Sequence, residues 1–494
     1  MLNRTRALAS VALIAVATGI AAPVWAQETL QEAITLAYRT NPTLLAQRAN
    51  QRALDESIVS ARAGLRPSID VGVSNSYTRV MDDTFGDSDS QSVSANISLS
   101  QTLYSGGRVA LGITGAEADI LAGRESLREI EQSVLASVIQ AYADVIRDTE
   151  ILRIREENLG VLQRQLDEAS ARFEVGEITR TDVAQSEARL AQSEADLANA
   201  RAQLSVSRAA YAAVVGQAPG DLAPMPVLPG VPTDFDVALD VALEENPGIL
   251  AAAYNLAGAE AAVAQARAEY MPSVRVSASY GGSAPSYTQL DVLADRNSFQ
   301  TTASVSVPLF TGGLNQSRVA ASLERANAAQ INVEGERRQV LQQVSNAFAQ
   351  SISARSTLTA GQEAVRAASV AAEGVRQEAQ VGLRTNLDVL NQELELRSAQ
   401  VSLASARRNE YVAQASLLAA MGRLEGSDLD PTLTIYNPAD NYERVRNRGA
   451  LPWDGVLEAV DRIAAPGVAP ATDAEDAPID AQLKGEVVQT GPRN

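Results

Sequence analysis

Hydrophobic residues recur along this chain with two periods, two and seven, in an order that is used twice. Ile69, Val71, Val73 and Tyr77 alternate with Asp70, Gly72, Ser74, Ser76 and Thr78. After a polar loop holding Asp82, Asp83, Asp87 and Asp89, a second run sets Val93, Ala95, Ile97, Leu99 and Leu103 against Ser92, Ser94, Asn96, Ser98 and Thr102. Strict alternation puts one set of side chains on each face of a strand, so strands are expected over 68–79 and 91–104. Gly106-Gly107 breaks the second run. From there to 174 no proline occurs, and Val138, Val145, Leu152, Leu159, Leu166 and Phe173 stand seven apart. A helix over 108–174 would reach roughly 100 Å at 1.5 Å per residue. Beyond a turn at Val175-Gly176, Val183, Leu190, Leu197, Leu204 and Tyr211 keep the same step in a helix over 182–215. Heptad spacing predicts coiled-coil packing. Ala184, Ala191 and Ala198, with Ala188, Ala195, Ala202 and Ala209, add small-residue flanks, so each helix can touch a neighbour on either side, as a closed tube requires. The helices alone also allow a two-stranded hairpin in which alanine is only a helix former.

The same signals return about 205 positions later. Ala33-Ile34-Thr35-Leu36-Ala37 with Asn41-Pro42 recurs as Ala238-Leu239-Asp240-Val241-Ala242 with Asn246-Pro247, and Pro67-Ser68-Ile69 as Pro272-Ser273-Val274. Leu103-Tyr104-Ser105-Gly106-Gly107 recurs as Leu309-Phe310-Thr311-Gly312-Gly313, and Val175-Gly176 with Thr181-Asp182-Val183 as Val381-Gly382 with Leu387-Asp388-Val389. Gly216 pairs with Gly422. A near-constant offset marks a tandem duplication. The first repeat is expected over 27–216, opening with a helical stretch over 28–64. A proline-rich link covers 217–233. The second repeat covers 234–422, with a helical stretch over 234–270, strands over 273–282 and 299–310, and helices over 314–380 and 388–421. A further segment over 423–463 precedes an acidic tail, 464–494, with Asp473, Glu475, Asp476 and Asp480, expected to be disordered.

Composition then removes much of enzymology. There is no cysteine and no histidine, and Lys484 is the only lysine among 41 basic residues. That excludes a Ser-His-Asp triad, a thiol nucleophile and the usual zinc ligands, and since Gly485 follows Lys484 it excludes a phosphate-binding Gly-Lys-Ser/Thr loop. Neither a catalytic centre nor a cofactor or metal site is expected. With 60 acidic residues and a net charge of −19, nucleic-acid binding is not expected either. Arg4 and Arg6, the apolar run from Ala7 to Ala22, and small Val24 and Ala26 describe a secretory leader over 1–26, cleaved after Ala26. Loss of its two arginines takes the charge from −19 to −21. Without cysteine there is no site for a lipid anchor.

The strands bear on the membrane. Each has the length of a tilted outer-membrane strand, and Tyr77, Tyr104, Tyr280, Phe299 and Phe310 lie near strand ends, as an aromatic girdle would. Four strands cannot close, and open edges cannot face lipid. Two chains would give a barrel filled by side chains, whereas three give twelve strands and a lumen. The rivals are a periplasmic coiled-coil adaptor or scaffold and a carboxylate enzyme such as a glycosidase. The duplicated strands weigh against the first, and an aromatic content of 4% weighs against the second.

The leader, the duplicated order of helix, two strands, long helix, tip and helix, Tyr104-Ser105-Gly106-Gly107, and the tip run Val381-Gly382-Leu383-Arg384-Thr385-Asn386-Leu387-Asp388-Val389-Leu390 together resemble the TolC family of outer-membrane channel proteins over about 28–445. The resemblance implies a mainly α fold with a membrane β part. In it a homotrimer forms a 12-stranded β-barrel in the bacterial outer membrane, among its lipids, continued by a long α-helical tunnel in the periplasm. It implies an exit duct for drug efflux or type I protein secretion, working with a periplasmic adaptor (membrane fusion protein) and an inner-membrane transporter, ABC-type or proton-driven. It places 217–233 and 423–463 in an equatorial belt and assigns adaptor docking to Val175, Gly176, Val381, Gly382 and Leu383.

Thr179 with Asp182 and Thr385 with Asp388 have capping-box spacing, so both aspartates have a helix-starting role apart from any gate. The resemblance places Asp182, Arg384, Asp388 and Asn391 at a periplasmic constriction, where threefold symmetry would turn Asp388 into a ring. Asn391 stands where the family commonly has a second acid, which halves that charge. Arg384 and Asp182 match family gate ties between neighbouring helix pairs, whereas Ala379 occupies the position of their tyrosine partner.

Overall fold

The computed structural model describes residues 27–81 and 86–471. The expected leader, loop residues Asp82 and Asp83, and residues 472–494 of the expected tail lie outside the described residues. Three helices, α1 (Leu30–Thr40), α2 (Pro42–Asp55) and α3 (Ser57–Ala63), lead into β1 (Ser68–Val80) and β2 (Ser88–Tyr104). Then come α4 (Arg108–Glu174) and α5 (Arg180–Val215). The order repeats with α6 (Phe235–Glu245), α7 (Pro247–Arg267), β3 (Ser273–Ala284), a short α8 (Val292–Asp295), β4 (Asn297–Ser306), α9 (Leu314–Gln380) and α10 (Asn386–Ala420). Short α11 (Gly426–Leu429), α12 (Ala439–Val445) and α13 (Asp454–Arg462) follow. Both α4 and α9 run 67 residues from the residue after a Gly-Gly pair whose second glycine has φ near +88°.

Three expectations need correction. The stretch over 28–64 is three helices rather than one, because Pro42 has no N–H to continue α1 and Asn41 caps α2, accepting from Thr43 N at 3.0 Å. Asn246-Pro247 divides 234–270 in the same way. Each asparagine also donates its amide to a last-turn carbonyl of the returning helix, Asn41 to Val214 O and Asn246 to Ala420 O, both at 3.0 Å. β4 ends at Ser306, short of 310, since Pro308 cannot donate to a ladder. Residues 464–471, expected to open the tail, are placed against the helices: Ala465 packs on Gly107 and Ala471 N donates to Glu260 at 3.0 Å.

The four strands form one antiparallel sheet in the order β1-β2-β3-β4, with β1 and β4 as free edges. Register aligns the two sequence patterns across the sheet. One face carries Val71, Ile97, Tyr280 and Phe299 side by side. The other carries rows of serine, with Ser68–Ser100, Ser74–Ser94 and Ser76–Ser92 hydroxyl pairs at 2.8–3.1 Å. In the isolated chain Ile69, Val71, Val73 and Phe299 are two-thirds or more exposed. An exposed apolar face backed by a hydroxyl face is the arrangement of a membrane barrel wall, lipid on one side and water on the other. Among the described residues no helix is long and apolar enough to cross a membrane.

Below the sheet, α4 pairs with α5 and α9 with α10 as long hairpins. The main core lies where α1 meets them: Ile34, Val138, Tyr142, Tyr211, Val215 and Leu424 are almost fully buried. Tyr142 donates to Glu28 O at 3.0 Å and Ala223 O at 2.7 Å, tying the inter-repeat link to this level, and burial pushes its phenol up to about 12. Further down α4, Ile154, Leu162 and Ala169 are buried, and a buried Asn158–Ser193 hydrogen bond of 3.0 Å joins α4 to α5. The seven-step positions Leu152, Leu159 and Leu166 are only half-buried and the alanines 184, 191 and 198 are exposed, so one chain leaves a second flank of each helix open.

Candidate functional site: the helix tips

Both hairpins turn by the same local chemistry. At the end of α4, Gly176 (φ +79°) donates to Phe173 O at 3.0 Å and Glu177 N donates to Arg172 O at 2.9 Å. At the end of α9, Gly382 (φ +78°) donates to Ala379 O and Leu383 N to Glu378 O, at 3.0 and 2.9 Å. This paired closure satisfies the last carbonyls of each helix and needs the left-handed conformation that glycine adopts freely. A capping box then starts each returning helix, Thr179 with Asp182 and Thr385 with Asp388.

The turns present an apolar surface. Val175, Val381 and Leu383 are exposed, and no described residue lies within 4 Å of a Cβ built on Gly176 or Gly382. The repeats differ here: Gly382 is flanked by valine and leucine, Gly176 by valine and Glu177.

Asp182 Oδ2 accepts from the Thr179 hydroxyl at 2.7 Å and its N–H at 3.0 Å, and Asp388 Oδ2 accepts from Thr385 N–H at 3.1 Å and its hydroxyl at 2.9 Å. These bonds hold both carboxyls below the ordinary aspartate range, led by the threonine hydroxyl for Asp182 and by the backbone N–H for Asp388. Arg384 Nε donates to Glu378 Oε2 at 2.7 Å across its own turn, which raises its pKa. Inside one chain, therefore, Arg384 and Asp182 are not brought together. Asn391 accepts from Arg189 Nη2 at 3.1 Å, and Asn386 donates to Ser186 at 3.1 Å, so the start of α10 is fastened to α5.

Two features were missed from sequence. Glu393 is almost fully buried between Arg376 and Arg397. A groove of about 450 Å³ separates the lower end of α4 from the α9–α10 turn, lined by Arg164, Arg172, Arg376 and Arg384 with Ala379. Its basic character arises from two hairpins meeting, and no local motif announces it.

A model of the outer membrane efflux protein family matches residues 33–217 and 238–423. The outer membrane efflux protein BepC of Brucella suis is 33% identical over 434 residues, 87% of this chain and 92% of its own. The outer membrane protein TolC of Escherichia coli is 27% identical over 418 residues, 81% of this chain and 84% of its own. In structure, the Campylobacter jejuni CmeC outer membrane channel superposes with a TM-score of 0.70 at 15% identity, covering 90% of this chain and 97% of that one. The two matched segments coincide with the two repeats, and the chain belongs to the outer membrane efflux protein family as a TolC-like outer-membrane channel.

Proposed function

We propose that this channel works as a homotrimer whose twelve strands close a barrel and whose hairpins close a periplasmic tunnel, with an adaptor docked at the glycine turns and an inner-membrane transporter behind it. The free edges of the sheet carry this reading, because unpaired backbone cannot face lipid. The open flanks of α4 and α5 support it, since a neighbouring hairpin would cover them. Native mass spectrometry in detergent should record three copies; a monomer or dimer extracted from intact membranes would overturn the reading. Amine cross-linkers are unsuited to this test, as Lys484 is the only lysine.

The mouth opens and closes at the tips. In this reading Arg384 exchanges its own Glu378 for Asp182 of a neighbouring hairpin pair when the mouth shuts. Arg384→Ser should then raise single-channel conductance in planar bilayers, and Glu378→Gln, which frees Arg384 for the neighbour, should lower it. Equal conductance in both variants would reduce these residues to turn chemistry.

Asp388 supplies a threefold ring of charge. Because its folded pKa is lowered, its charge and its cap are complete above the ordinary aspartate value of about 3.9 and are lost only as pH falls through the lower folded value. Cation preference should be flat from about pH 8 to 5 and should weaken in Asp388→Ala. A steep change across that window would assign the preference to another group.

A further inference from the structure

The two repeats treat one equivalent turn differently. Between β2 and α4 the turn is closed over by the C-terminal segment. Asp461 on α13 is fully buried and accepts from Ser105 N at 2.5 Å, Gly107 N at 3.3 Å, Ala110 N at 3.2 Å and the Ser105 hydroxyl at 2.9 Å. A carboxylate thus neutralises the positive end of the 67-residue α4. Between β4 and α9 the matching turn has no such cover among the described residues. Leu309 and Phe310 are 93% and 91% exposed, and a Cβ on Gly312 or Gly313 would meet no described residue within 4 Å. One C-terminal segment serves one of two turns.

That segment has an open face of its own. Trp453, Val456, Val460 and Ile463 lie along one side at helical spacing, and all are exposed. Its start is fixed to the foot of β1, where Arg66 Nε meets Asp454 at 2.8 Å and Arg66 Nη1 donates to Arg448 O at 2.6 Å. β1 begins and β4 finishes at the same end of the sheet, on its two opposite edges, since all three pairings are antiparallel. When β4 of one copy pairs with β1 of the next, the residues just after β4 arrive beside the next copy's Arg66 and the start of its α13.

We propose that Leu309 and Phe310 of one copy seat on Trp453 and Val456 of the next, so that each C-terminal segment covers its own first-repeat turn and its neighbour's second-repeat turn. The partner is a second copy of this chain, and the inference rests on the trimer reading above. The absence of cysteine makes it directly testable. Phe310→Cys combined with Val456→Cys, oxidised in native membranes, should convert most of the protein to covalent trimers, and neither single variant should. Native mass spectrometry of the same samples reports copy number independently. Three copies by mass, with no covalent product from this pair or from Phe310→Cys with Trp453→Cys, would overturn the seat and leave the trimer standing. A monomer by mass would remove both. Trp453 is the only tryptophan beyond the expected leader, so strong quenching of its fluorescence by brominated lipid would also overturn the seat, because the membrane would then cover α13.

Discussion

Gly382→Trp is expected to abolish export while three copies still assemble. A Cβ there meets no described residue within 4 Å, so the turn leaves room for a side chain to leave the backbone. The backbone penalty of a non-glycine residue at φ +78° is roughly 1–2 kcal/mol, small against the core that anchors α9 far from its tip. The bulk instead projects from the apex between exposed Val381 and Leu383, where an approaching adaptor would need close backbone contact. Gly382→Ala carries the same backbone strain without the bulk and should keep most export, which separates the two effects. Gly176→Trp should be milder, because Glu177 makes the first-repeat turn less apolar than the second. Drug susceptibility of a host that depends on this channel reads all three. Normal export in Gly382→Trp would remove the docking assignment.

What could be read in the sequence was whatever repeats at short range. Alternation along β2 places Ile97 and Ser98 on opposite faces, and the register then stacks Ile97 against Val71 and Tyr280 as the period-two pattern requires. The tips were legible because a left-handed glycine and a Thr-x-x-Asp cap act within six residues and occur twice. Asp461 was not. It caps a helix whose first turn lies some 350 residues earlier, and one aspartate among 60 acidic residues carries no local mark of that task. The contact between α4 and α5 was legible only as a choice among stripes. Several stripes on a long alanine-rich helix satisfy a seven-residue step, and only the folded chain shows that Ile154, Leu162 and Ala169 are buried while Leu152, Leu159 and Leu166 are half-covered. Within one chain Arg384 takes Glu378 rather than Asp182 as its partner, a choice set by the turn geometry and not by any spacing in the sequence.

The largest stability effect is expected at Ile97. Ile97→Arg places a guanidinium on the apolar face near the middle of β2, with Val71 and Tyr280 on the adjoining strands and no acid in that row. On the lipid face of a barrel such a charge costs about 2–4 kcal/mol at the bilayer midplane. In the proposed trimer three copies repeat the change around the ring, so assembled trimer should fall steeply and its urea midpoint in vesicles should drop. Ser98→Arg is the control one residue along. It projects into the hydroxyl face, where Asp70 and Ser279 oppose it across the ladder and water can solvate the charge. Assembly should survive there, and the added positive charge should instead reduce cation preference. If the two variants assembled equally well, the apolar face would not be the one that meets lipid. The barrel would then have to be turned inside out, with its serine rows facing hydrocarbon and their hydroxyls unsatisfied except by one another.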